Sequence, residues 1–203
     1  MAQVIPAIIA QDFQELRRKI KAVAPYSQWV QLDIMDGRFV ADKTWNNPED
    51  LEKIKTSVRI EAHLMIENPD KVIVSWLKAV QRVIVHWESP GRDKIEFNKK
   101  IGIALNPDTP WSEIAGLISQ IGVVLLMAVR PGAGRQKFLN GVLPKIQSLR
   151  SNYPNVKIEV DGGINPETGK RCLDAGADIL VSGSYIFGAK NIRTAIEDLK
   201  NLV

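Results

Sequence analysis

The sequence predicts an α/β protein built as a single (β/α)8 TIM barrel over residues 1–203. Short apolar, β-branched runs alternate eight times with amphipathic stretches, at about 25 residues per unit. Several runs, Val123-Val124-Leu125-Leu126 among them, are apolar on both faces, as parallel strands covered by helices are. The first turn, Ile9-Ala10-Gln11-Asp12, lacks the glycines that open a doubly wound sheet, the competing architecture.

The first strand is read at 4–9, followed by a helix over 12–24. There Asp12 and Glu15 have the spacing of a capping box, and Phe13, Leu16 and Ile20 share one face. Strand two, 29–33, runs into a long loop before a helix opening at Pro48, and strand three, 59–64, precedes a helix opening at Pro69. Strand four, 82–87, precedes only a short segment at 93–99, which would leave barrel surface for a second subunit to cover. Strand five, 101–105, leads to a helix over 111–119, and strand six, 123–129, to one over 138–151. Strand seven, 157–160, leads to a helix over 166–175, and strand eight, 179–182, to a last one near 192–202.

Asn-Pro-acid recurs at Asn47, Asn68, Asn106 and Asn165. Asn caps a helix, Pro fits its first position and an acid complements its dipole, so each reads as a helix start. At Asn106 the alternative start is Thr109-Pro110.

Composition narrows the class. With 45% hydrophobic and 25% charged residues the chain is ordinary globular protein, neither disordered nor fibrous. A single cysteine, Cys172, excludes a disulfide framework and suits a reducing cytoplasm. No apolar run approaches the ~20 residues of a membrane span, and the N-terminus lacks signal-peptide features. A net charge of +4, evenly spread, argues against a nucleic-acid binder and suits an anionic small molecule.

Chemistry-bearing residues gather where strands end. Strand two ends in Gln31-Leu32-Asp33, strand three in His63-Leu64-Met65, strand four in His86-Trp87-Glu88 and strand seven in Asp161-Gly162-Gly163. A lone strand histidine is usually a satisfied core residue, but carboxylates are rarely buried without a partner or metal. Asp33 and Asp161, from opposite sides of a barrel mouth, could take a proton from one face of a substrate carbon and return it on the other.

Three successive loops carry anion-binding signals: Arg130-Pro131-Gly132-Ala133-Gly134-Arg135, Asp161-Gly162-Gly163 and Ser182-Gly183-Ser184. Their backbone amides would hold phosphate, with Arg130 or Arg135 supplying charge. Met35, Met65 and Met127 end strands near the same mouth and suit an apolar lid. Trp45 and Trp87 are expected to border the opening, whereas Trp29, Trp76 and Trp111 are expected in helix–barrel packing.

From Pro6-Ala7-Ile8-Ile9 to Gly183-Ser184-Tyr185-Ile186-Phe187 the chain resembles the ribulose-phosphate 3-epimerase family. The strongest segments are Leu32-Asp33-Ile34-Met35-Asp36-Gly37, His63-Leu64-Met65, Ala104-Leu105-Asn106-Pro107-Asp108 and Val160-Asp161-Gly162-Gly163. The resemblance implies a TIM barrel that interconverts ribulose 5-phosphate and xylulose 5-phosphate, with Asp33 and Asp161 as acid and base. It implies a divalent ion (Zn, Fe, Mn or Co) on Asp33, His63 and Asp161, stabilising an enediolate. It places the substrate on Gly132, Ala133, Gly134, Arg135, Gly162, Gly163, Gly183 and Ser184, and Met35, Met65 and Met127 along the site wall. The implied partner is a small sugar phosphate, in a cytoplasmic enzyme, possible as a homo-oligomer.

The chain departs from the family at Gln31, where the fourth metal ligand is a histidine, and at Ala10, read as replacing a substrate-contacting serine. Arg130, Ala133 and Arg135 depart in the strand-six loop. Gln31 implies either a weaker metal site or a glutamine that hydrogen-bonds Asp33 or His63 in the metal's place. Two other readings stay open: a non-catalytic sugar-phosphate binder, and a different phosphosugar isomerase or lyase.

Overall fold

A computed structural model describes residues 2–132 and 136–202. Eight parallel strands close into a barrel in chain order: β1 (Gln3–Ile8), β2 (Trp29–Met35), β3 (Arg59–Met65), β4 (Arg82–His86), β5 (Ile101–Leu105), β6 (Val124–Met127), β7 (Ile158–Asp161) and β8 (Ile179–Ser182). The expected (β/α)8 architecture is the one found.

The helical layer is thinner than the sequence suggests. Among the described residues, α-helices follow β1 (α1, Phe13–Val23), β3 (α2, Ile73–Ala79), β6 (α3, Val142–Asn152) and β7 (α4, Pro166–Asp174). Two more, α5 (Ser184–Gly188) and α6 (Ile192–Lys200), follow β8. The helices expected at Pro48, 93–99 and 111–119 are instead short 3₁₀ turns at Pro48–Lys53, Arg92–Lys94 and Trp111–Ile114. At 93–99 the apolar residues, Ile95 and Phe97, are two apart rather than three or four, and an extended segment buries Ile95 and packs the half-buried Phe97 against the barrel. At 111–119, Gly116 weakens the helix and i→i+3 bonds take over, from Ala115 N to Ser112 O at 3.2 Å and Leu117 N to Ile114 O at 2.8 Å.

The caps follow the same logic. Asp12 accepts from Glu15 N at 2.8 Å, while the Glu15 carboxylate reaches back to Gln11 N rather than to the cap itself. Asn165 makes the full reciprocal cap with Thr168. Asn47 and Asn68 make no side-chain cap bond, and Asn106 starts no helix; the turn there begins after Pro110.

Two apolar layers hold the molecule. Outward strand residues pack against the helices around the fully buried Trp76. Inward residues, Ile5, Ile84, Leu125 and Val181 among them, fill the barrel. The interior also takes polar groups, because residues two apart on a strand share a face: Gln31 with Asp33, Glu61 with His63, Glu159 with Asp161. Arg82 bridges Glu61 and Glu159 at the barrel floor and lies 4.9 Å over the Trp29 ring. No helix among the described residues is long and apolar enough to cross a membrane.

Candidate active site at the barrel mouth

The loop after β2 folds back to fix the end of that strand. Thr44 donates its hydroxyl to Asp33 O and accepts Met35 N–H, both at 2.9 Å. The Asp36 carboxylate receives the amides of Arg38 and Phe39, and at 2.9 Å that of Glu67 after β3. The loops carrying Asp33 and His63 are thereby tied together, and Asp33 stands beside His63 in strand register.

Asp33, His63 and Asp161 each offer one ligand atom, and these atoms lie within 4.8 Å of one another. His63 Nδ1 is 3.4 Å from Asp33 Oδ1 and 3.7 Å from Asp161 Oδ2. Gln31 stands among them. Its Nε2 donates to Asp33 Oδ1 at 2.8 Å and Asp161 Oδ2 at 2.7 Å, and lies 3.4 Å from His63 Nδ1.

Burial sets the electrostatics. It pushes both aspartate pKa values up, Asp161 further helped by the Asp33 charge and opposed by His63, while the Gln31 hydrogen bond opposes the rise at both. Burial also pulls the His63 imidazole down to about 4, so it is neutral near pH 7, the form that donates a lone pair to a metal.

The cluster can accommodate a divalent ion. Gln31 Oε1 is buried with no hydrogen-bond partner. A half-turn of the carboxamide exchanges its nitrogen and oxygen, aiming Oε1 at the three ligand atoms. Asp33, His63 and Asp161 are the group that could hold a divalent ion, and Gln31 would add a hard oxygen ligand only in the turned orientation.

The cleft above the cluster is lined by Met35, Met65 and Met127, as expected, and by Gly132, Gly162, Gly163, Gly183 and Ser184. At Gly162 (φ 111°) and Gly163 (φ 65°) the backbone adopts conformations that disfavour a side chain, and an added Cβ would meet Val129 or Phe138. From β1 the lining residues are Ala7 and Ile9, not Ala10, whose carbonyl accepts Trp45 N–H instead. Ala133, Gly134 and Arg135 lie outside the described residues.

Arg130 reaches the cleft edge, but its side chain is 77% exposed and pairs with the 81% exposed Asp108 at 3.3 Å. Trp45 packs between Phe13 and Trp76, and Trp87 lies under Arg92, so neither lines the cleft. Trp29 sits at the barrel floor rather than between helix and barrel. The sequence places His86 at the end of strand four but assigns it no role; its Nε2 is 2.8 Å from His63 Nε2. The available signal was the strand register, which sets β4 beside His63.

A closed parallel barrel with acids and an imidazole converging at the C-terminal ends of its strands defines a TIM-barrel protein of the enzyme type. Residues 3–187 match the ribulose-phosphate 3-epimerase family, and the chain belongs to that family, which makes it an isomerase of the epimerase class. It is 36% identical to the ribulose-phosphate 3-epimerase of Bacillus subtilis, over 98% of this chain and 99% of that one. It is 37% identical to that of Synechocystis sp., over 98% and 93%. In fold alone it is similar to phosphoribosyl anthranilate isomerase from Thermotoga maritima, with a TM-score of 0.68, 17% identity, and coverage of 98% of this chain and 99% of that one.

Proposed function

We propose that this protein interconverts ribulose 5-phosphate and xylulose 5-phosphate, with Asp33 and Asp161 as the two proton carriers. The observation that carries the reading is their placement: Asp33 buried on β2 and Asp161 half-buried on β7, both hydrogen-bonded to the same Gln31 amide. One carboxylate takes the proton from C3, beside the ketone, and the electron pair moves into an enediolate. The other carboxyl gives its proton to the opposite face of C3, which inverts that carbon and exchanges the roles of the two acids. The cycle needs one carboxyl protonated and one ionised, and burial favours that state by disfavouring two adjacent charges.

A divalent ion on Asp33, His63 and Asp161, with Gln31 Oε1 turned inward, would supply positive charge against the enediolate. Backbone amides of Gly162, Gly163, Gly183 and Ser184 are proposed to hold the phosphate, with Gly132 closing the edge. Met35, Met65 and Met127 exclude water from the reacting carbon.

The test is solvent exchange. In D2O with ribulose 5-phosphate, deuterium should enter at C3 as xylulose 5-phosphate appears. No exchange with Zn, Fe, Mn or Co overturns the reading, and phosphosugar binding without exchange would favour a silent binding protein.

A further inference from the structure

His86 and Glu88 belong to no part of the chemistry above, yet they extend the site sideways as a hydrogen-bonded chain from the buried His63 to the half-buried Glu88. The two imidazole planes are nearly parallel, 20° apart with centroids 4.9 Å apart, and His63 Nε2 and His86 Nε2 face at 2.8 Å. His86 Nδ1 faces Glu88 Oε2 at 3.4 Å. The other carboxylate oxygen, Glu88 Oε1, accepts Asn106 N–H at 2.8 Å and the Thr109 hydroxyl. Lys145 Nζ gathers the carbonyls of Asn106, Pro107 and Thr109, at 2.6–2.9 Å, so the loop that grips Glu88 is itself fixed.

Both rings are fully buried, which disfavours a charge on either, and two Nε2 atoms facing at 2.8 Å share a single proton. Burial pushes Glu88 up, but hydrogen bonds from His86, Thr109 and Asn106 outweigh it and hold the group below the usual range, an anion. A carboxylate only accepts, so His86 Nδ1 must carry a proton and direct it at Glu88. His86 is neutral, so its Nε2 is then a bare lone pair. Across 2.8 Å that lone pair needs a donor, which places the His63 proton on Nε2 and leaves His63 Nδ1 bare toward Asp33 and Asp161.

We infer that Glu88 and His86 are positioning residues: together they set the tautomer and ring angle of His63, so that its Nδ1 lone pair faces the ligand cluster. The inference rests on the reading of His63 as a metal ligand, and ligand histidines are commonly oriented this way through their second nitrogen. Glu88 acts on the reaction only through the two rings.

The chain has two histidines, so ring ¹⁵N spectra of metal-free protein contain only two imidazoles. Wild type should show protonated Nε2 on His63 and protonated Nδ1 on His86. In Glu88→Gln the amide oxygen stays with Asn106 N–H and Thr109, which turns its NH2 toward His86 and reverses the chain. Both tautomers should invert, and Mn2+ affinity should fall by roughly tenfold or more. Wild-type His63 protonated at Nδ1, or a Glu88→Gln protein with unchanged tautomers, overturns the proposal. The wild-type spectrum decides even where a variant does not fold. It also needs neither metal nor turnover, so a failed epimerase assay leaves this result readable.

Discussion

The Gln31 carboxamide nitrogen lies 2.7 Å from Asp161 Oδ2, across the barrel mouth from the strand that carries it, and holds the cluster together where a cation would otherwise be needed. An amide oxygen is a weaker ligand for transition metals than an imidazole nitrogen. Gln31→His should therefore tighten Zn2+ binding, by at least about tenfold in a competition titration, and raise epimerase activity. If metal affinity rises and activity does not, substrate specificity has moved through other changes in the cleft.

Asp33→Asn and Asp161→Asn each remove one proton carrier while keeping the shape. Either should lower C3 proton exchange by roughly 10²-fold or more, the range for loss of a positioned acid or base. Each also removes a largely desolvated carboxyl whose pKa is pushed upward, so neither variant should melt below wild type at pH 8. Exchange rates and melting curves on the same samples check both halves. Full exchange activity in either variant would move the proton carrier elsewhere.

The barrel, its strand order and the placement of Asp33, His63 and Asp161 were legible in the sequence, because parallel strands write continuous apolar runs and polar interruptions stand out within them. Crossover structure was less legible. Asn-Pro-acid reports where a turn starts, not whether a helix follows: after Pro48 few apolar residues come at helical spacing, and after Pro110 Trp111, Ile114 and Ile118 have that spacing yet only a 3₁₀ turn forms ahead of Gly116. Glu61, Glu159 and His86 interrupt strands as plainly as Asp33 does. Their roles depend on which strands are neighbours and on shared partners, Arg82 and His63, that only closure of the barrel brings near.

Phosphate binding should depend on the glycines of the β7 and β8 loops to different degrees. A Cβ at Gly162 collides with the Val129 side chain on a backbone already at φ 111°, whereas at Gly183 it meets Ala7, its carbonyl oxygen at 3.1 Å and its Cβ at 3.5 Å. Gly162→Ala should therefore abolish measurable ribulose 5-phosphate binding and lower the melting temperature. Gly183→Ala should weaken binding by about tenfold, the loss of one anion contact, and barely change stability. Arg130→Ala, which removes an exposed partner of Asp108, should leave affinity within about threefold. Calorimetry on the three variants ranks them. A large loss at Arg130 would put its guanidinium on the phosphate.

The barrel floor gives a prediction in pH. Glu61, Glu159 and Arg82 place two buried carboxylates against one guanidinium, an excess of one negative charge. Burial, then the Glu61 charge, raises the Glu159 pKa well above its ordinary value of 4.5, with Arg82 opposing. A raised folded-state pKa means that the folded protein binds the proton more tightly than the unfolded chain does. That stabilisation is complete below about 4.5 and is lost as pH rises through the folded value, at about 1.4 kcal/mol per pH unit while the native group stays protonated and the unfolded one is ionised. Glu159→Gln keeps the shape, carries no titrating proton and leaves Arg82 paired with Glu61 alone. The melting temperature of Glu159→Gln minus that of wild type should therefore increase from pH 5 to pH 9, ending at or above zero. Arg82→Gln should do the reverse, costing roughly 3–5 kcal/mol at neutral pH by leaving both acids without a counter-ion. A Glu159→Gln difference that stays flat with pH would mean that both carboxylates remain ionised beside Arg82, and that the barrel floor stores no proton.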